Sequence, residues 1–174
     1  MKPTVYAFVA AGSFALLSSI AQAQNVTDPQ IASIVVTANQ VDIDAGRLAE
    51  SQASSPEVKA FGKQMATDHT RVNRQATELV TRLKVKPEDN PTSKSLASGG
   101  AENVNQLKQL KGTAFDKAYV DHEVAYHQQV LDAVDKTLIP SAQNADLKAL
   151  LAKVRPAFVA HLEHAKHLQA SLGK

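Results

Sequence analysis

The chain has no cysteine and no tryptophan among its 174 residues, and only 5% of it is aromatic. Without cysteine it has no disulfide framework, no thiol nucleophile and no thiol to carry a lipid anchor. So few aromatics favour helices packed through Ala, Val and Leu over an aromatic-rich β-sandwich. An excess of either charge is missing too: 19 Lys and Arg face 17 Asp and Glu, for a formal net charge of +2. That balance argues against nucleic acid as a partner, which would need a basic face. The sequence also lacks GxSxG, a Walker-type loop, GxGxxG and HExxH. The common hydrolase, nucleotide and zinc-protease signatures are therefore absent, and nothing supplies a catalytic nucleophile. A non-catalytic role is expected ahead of an enzymatic one, and no protein partner is specified.

Long apolar runs are scarce as well. The one candidate lies at the amino end, where Lys2 precedes an apolar stretch from Val5 to Leu17 and the small-x-small triplet Ala21-Gln22-Ala23. This is the pattern of a secretory signal cut after Ala23. A retained anchor would need about 20 apolar residues, whereas this run is shorter and is broken by Gly12 and Ser13. The expected organisation is a signal peptide over residues 1–23 and one domain over 24–174, exported to the periplasm or cell envelope, with no transmembrane helix after cleavage. Cleavage removes Lys2 and no acid, so the net charge falls to +1.

Helical spacing dominates the remainder, and four helices are expected at about 29–53, 56–84, 113–138 and 145–171. Thr27-Asp28-Pro29 and Ser54-Ser55-Pro56-Glu57 each read as a cap followed by proline at the first helical position. The short link between the first two helices predicts an antiparallel hairpin. Lys84 to Gly112 is punctuated by Pro87, Pro91 and Gly99-Gly100, and reads as a crossover with a short helix from Ala101 to Lys111. Thr113-Ala114-Phe115-Asp116 has the shape of a capping box opening the third helix, whose expected buried face is Val120, Val124, Val130, Leu131, Val134 and Leu138. Pro156 falls inside the fourth helix. The expected architecture is an all-α, up-and-down four-helix bundle with a crossover segment.

Ionisable residues on the buried stripes are the chief functional signal. Asp42 lies between Ala38 and Ala45, His69 between Met65 and Val72, His127 between Val124 and Leu131, and His161 between Phe158 and Ala165. Each stands roughly 13 to 16 residues into its helix, so in a bundle of similar helices the four meet in one layer. A single core histidine is ordinarily just hydrogen-bonded. Four ionisable groups together must satisfy one another or hold a cation, because an unpaired buried charge costs several kcal/mol. Imidazoles with a carboxylate suit Zn²⁺, Cu²⁺ or Fe²⁺ better than Ca²⁺ or Mg²⁺. Glu123, on the flank of its stripe, and Asp68, beside His69, are further candidates for the same ion. His122, His164, His167, Asp44 and Glu50 read as solvated, and Tyr119 and Tyr126 as packing residues with hydroxyls near the rim.

The segments Val58-Lys59-Ala60-Phe61 with Met65 and Asp68-His69-Thr70, Gly112 to Asp116 with Tyr119 and His127, and Pro156 with His161-Leu162 resemble the domain of unknown function 4142 family. The likeness runs from about Asp28 to Leu172. It implies an exported bacterial ferritin-like four-helix bundle, often labelled an outer membrane protein, and points to His69, His127 and His161 with Asp42 in the acidic position of the first helix. The paired Glu-x-x-His motifs that hold two irons in ferritin-like proteins are absent, which counts against di-iron oxidation. Two readings stay open: a bundle binding one transition metal in its core, or a structural or stress-related envelope protein with a metal-free Asp/His hydrogen-bond network.

Overall fold

The computed structural model describes residues 26–173, so the expected signal peptide lies outside the described residues. The first helix, α1 (Asp28–Gln52), starts at Thr27, whose N–H donates to Gln30 Oε1 at 3.2 Å. The second, α2 (Pro56–Arg82), starts at Ser55, whose hydroxyl accepts from the Val58 N–H. Both have proline in the first turn, where its missing N–H is of no consequence.

These two helices form the antiparallel hairpin, and glycines let them touch. A Cβ on Gly46 would stand 2.6 Å from the Gly62 carbonyl oxygen, and one on Gly62 would stand 2.7 Å from the Gly46 carbonyl oxygen. The backbones meet at a distance that leaves no room for a methyl group.

The crossover differs from the sequence expectation. Its helix, α3, is 18 residues long (Pro91–Lys108) and carries Gly99-Gly100 in its interior. Asn90 opens it by accepting from the N–H groups of Thr92 and Ser93. The cost of two glycines in a helix is offset by packing: a Cβ on Gly100 would lie 2.5 Å from a Val41 methyl, so α3 lies close against α1. It spans the bundle from Asn90, which donates to the Gln30 carbonyl, to Leu107 and Leu110, whose carbonyls accept from Gln52.

Because α3 carries the chain back along the full length of α1, the next helix, α4 (Gly112–Ala133), runs parallel to α2. Its start also differs from the expectation. Lys111 is the N-cap and Gly112 enters with a φ of +59°, a left-handed conformation cheap only for glycine. Asp116 is not part of a capping box. It reaches across to α2 and accepts from the backbone N–H groups of Ser54 and Ser55, both at 2.8 Å, because the start of α2 has N–H groups with no intrahelical partner.

After Ala133 the helix widens into a π turn, Val134–Leu138, before one last turn, Ile139–Ser141. The Asp28 carboxylate accepts from the N–H groups of Gln143 and Asn144, both at 2.9 Å. That contact returns the chain to the start of α1, and the last helix, α5 (Ala145–Leu172), runs parallel to α1 through Pro156. The fold is thus an all-α bundle of four long helices with a single crossover, the connection found in ferritin-like bundles. None of the described helices is long and apolar enough to cross a membrane.

Two apolar clusters fill the ends of the bundle. One contains Phe61, Met65, Leu107, Phe115 and Leu168, and the other Ile31, Ile34, Leu79, Leu147 and Leu151. A polar layer lies between them.

Candidate metal centre

The middle of the core holds five ionisable side chains almost free of solvent: Asp42, His69, Glu123, His127 and His161, none more than 3% exposed. Each long helix contributes. α1 supplies Asp42, α2 supplies His69, α4 supplies Glu123 and His127, and α5 supplies His161. The imidazole centroids are 5.3 Å apart for His69 and His161, 5.5 Å for His127 and His161, and 5.6 Å for His69 and His127. One donor atom from each of the three histidines lies within 4.8 Å of the others, and the same holds for Asp42, Glu123 and His127.

Each histidine uses one ring nitrogen on a partner away from the centre. His69 Nδ1 lies 2.7 Å from Asn39 Oδ1, while the Asn39 amide nitrogen donates to the Val35 carbonyl, which fixes the orientation of that amide. His127 Nδ1 donates to the Glu123 carbonyl at 3.1 Å. His161 Nε2 lies 3.1 Å from Asp68 Oδ2, and Arg71 holds the other oxygen of Asp68. These partners are all acceptors, so each ring donates outward and keeps its second nitrogen as a lone pair. The nitrogens left over, His69 Nε2, His127 Nε2 and His161 Nδ1, are buried and have no hydrogen-bond partner among the described residues.

The carboxylates are equally unsatisfied. Asp42 Oδ1 and both Glu123 side-chain oxygens are buried without a partner, and Asp42 Oδ2 stands 3.4 Å from His69 Nε2 without hydrogen-bond geometry. Burial, and then the neighbouring charge of Glu123, holds the Asp42 carboxyl well above its ordinary range. Burial raises Glu123 to about 8. Burial also lowers the histidines, His127 to about 4, with the neighbouring imidazoles adding to the effect. For His161 burial is again the larger effect, partly offset by Asp68. At neutral pH the layer therefore favours neutral imidazoles beside a protonated Glu123.

The five-residue layer and Asp68 contain every residue that the sequence marks as a candidate ligand. Asp68 stands behind His161 and faces away from the centre. Glu123 is in the core and not on a flank, with no exposed surface. Tyr119 is fully buried, and its hydroxyl has no partner and stands in the field of Glu123 and Asp42. Only the Tyr126 hydroxyl finds an acceptor, the Ala38 carbonyl at 3.1 Å. His122 is half-buried and stacks on Tyr126, so it is not solvated. His164 and His167 are exposed, with the His164 ring edge-on to Phe61, and Asp44 and Glu50 are exposed as well.

Asn39 escapes the sequence analysis altogether, and Phe158 is read there only as a core residue beside His161. Asn39 sets the orientation of His69, and Phe158 stacks on it at 5.3 Å and 10° between planes. The signal for Asn39 was its position three residues before Asp42, on one helical face with Val35 and Gly46.

No curated protein and no solved structure matches the chain. The family model described as a domain of unknown function, DUF4142, matches residues 15–168. Since that match covers most of the 174 residues, the chain belongs to the domain of unknown function 4142 family.

Proposed function

We propose that the protein is an exported bundle that binds one transition-metal ion in its core, through His69, His127 and His161 with Asp42 and Glu123 completing the donor set. The observation that carries this reading is the arrangement of the ring nitrogens. Every histidine spends one nitrogen on an outward acceptor and turns its lone pair inward, as metal-ligating histidines do. In the present geometry none of the three lone pairs has a hydrogen-bond partner among the described residues, although buried polar atoms are ordinarily paired. Three imidazoles with carboxylates favour Zn²⁺, Cu²⁺ or Fe²⁺. The ion would draw the carboxyls to their ionised form and offset the cost of burying them.

Export rests on the amino-terminal signal pattern. The mass of the mature protein recovered from its natural compartment should correspond to a chain beginning at Gln24. A chain retaining Lys2 would remove the periplasmic assignment.

The metal reading is tested by elemental analysis of untagged protein purified without chelator, alongside the His69→Ala/His127→Ala variant. Near-stoichiometric Zn, Cu or Fe in the natural protein, lost in an equally helical variant, is the expected result. Protein that stays empty when offered all three ions would leave the layer as a structural Asp/His network.

A further inference from the structure

Beside the polar layer lies a cavity of about 200 Å³, bounded by α1, α3, α5 and the end of α4. Its inner end is Asn39, Asp42 and His69, and its walls are aliphatic apart from the aromatic Phe158 and Tyr126, with Thr92 and Gln129 at the exposed mouth. Val134 and Leu138, the first and last residues of the π turn, line it. A π turn inserts an extra residue into the helix, and such turns recur at functional sites. Here it widens α4 where the cavity lies. Core packing ordinarily leaves few voids larger than a water molecule, whereas an apolar cavity of about 150 Å³ is enough to admit benzene.

We propose that this cavity binds a small neutral aromatic or aliphatic molecule carrying a single hydroxyl group, the class represented by phenol. The walls supply apolar burial and the inner end supplies two polar atoms with no partner among the described residues. Asp42 Oδ1 and His69 Nε2 are unpartnered, while the Asn39 amide nitrogen is already engaged with Val35. The polar group of the guest therefore meets an imidazole nitrogen and a carboxyl oxygen, and a hydroxyl, which both donates and accepts, can satisfy either. No Lys or Arg among the described residues lines the cavity, so an anionic guest would enter an apolar space beside a carboxyl with no cation to balance it. An ion bound by His69 would take its Nε2 lone pair and leave the guest an oxygen of the Asp42 carboxyl, so the inference stands on the cavity with or without the ion.

The test is calorimetric titration of the purified protein with phenol and with benzoate, with metal content measured on the same sample so that the two readings fail separately. Saturable one-to-one binding of phenol is expected, with benzoate at least ~10-fold weaker, the loss that one misplaced polar contact produces. In the natural protein, magnetisation transfer from phenol protons to the methyl groups of Val134 and Leu138 is expected. Filling the cavity by Ala133→Leu or Ala38→Leu should weaken phenol at least ~10-fold while metal content is unchanged. The proposal is overturned by absence of saturable binding, by benzoate binding as tightly as phenol, or by phenol contacts at other methyl groups.

Discussion

Replacing Glu123 by Gln in the metal-free protein separates electrostatics from packing, because the two side chains have nearly the same shape. Burial raises Glu123 from 4.5 to about 8, so between those values the folded state holds a proton that the unfolded chain has released. Stability of the natural protein therefore falls as pH rises through this window, by about 1.4 kcal/mol per pH unit from this one group. From pH 4.5 to pH 7 the loss is about 3 kcal/mol. The buried histidines act with the opposite sign. Their lowered values remove stability as pH falls below about 6.5, but they are common to both proteins and cancel in the difference. Urea denaturation of the two chelated proteins from pH 5 to pH 8 should show the Glu123→Gln variant gaining on the natural protein with rising pH. At pH 7 the gain is about 3 kcal/mol, or roughly 6–12 °C in Tm. With stoichiometric Zn²⁺ the order should reverse, because Gln offers no charge to the ion. A stability difference independent of pH in the chelated proteins would refute the protonated, unpaired state assigned to Glu123.

Other perturbations test the layers around the centre. Asn39→Ala should leave the helical content intact and lower metal affinity about 10- to 100-fold, the usual loss when the group orienting a ligand is removed, measured by competition with a chromophoric chelator. Asp116→Ala deprives Ser54 and Ser55 of their acceptor and should cost about 1–2 kcal/mol in chemical denaturation with metal content unaffected. Gly62→Ala drives a methyl into the Gly46 carbonyl oxygen and should cost about 1–3 kcal/mol, with a lower Tm as the readout. Removing the ion with chelator should lower Tm, by an amount corresponding to about 3 kcal/mol if free metal had stood at 100 times its Kd.

How far the site could be seen in the sequence depended on which residues defined each stripe. On α2 and α5 the buried faces are mostly apolar, with Phe61, Met65 and Val72 around His69 and Phe158, Leu162 and Ala165 around His161. There spacing alone placed the histidines. α1 was harder to interpret because α3 covers its outer side through Gly100 and Val41, and a helix wrapped on two sides has no single stripe. The crossover helix itself was obscured by the very glycines that allow its close packing.

The misjudged positions on α4 have one cause. Its buried face was centred on apolar residues, which placed Val124 and Val130 inward, yet both are only half-buried. Val120 and Leu131 are buried as expected, but the same face also buries Phe115, Asp116, Tyr119, Glu123, Tyr126 and His127, and most of these six carry a polar group. Reckoning a helix face from hydrophobicity alone turns that face away from its own polar members. The error is therefore largest on the helix that contributes most to the centre, and it put Glu123 on a flank and the Tyr119 hydroxyl on a rim. The same bias should recur wherever two or more ionisable groups share one buried helix face, since each polar residue removed from the stripe shifts its apparent centre further from the site.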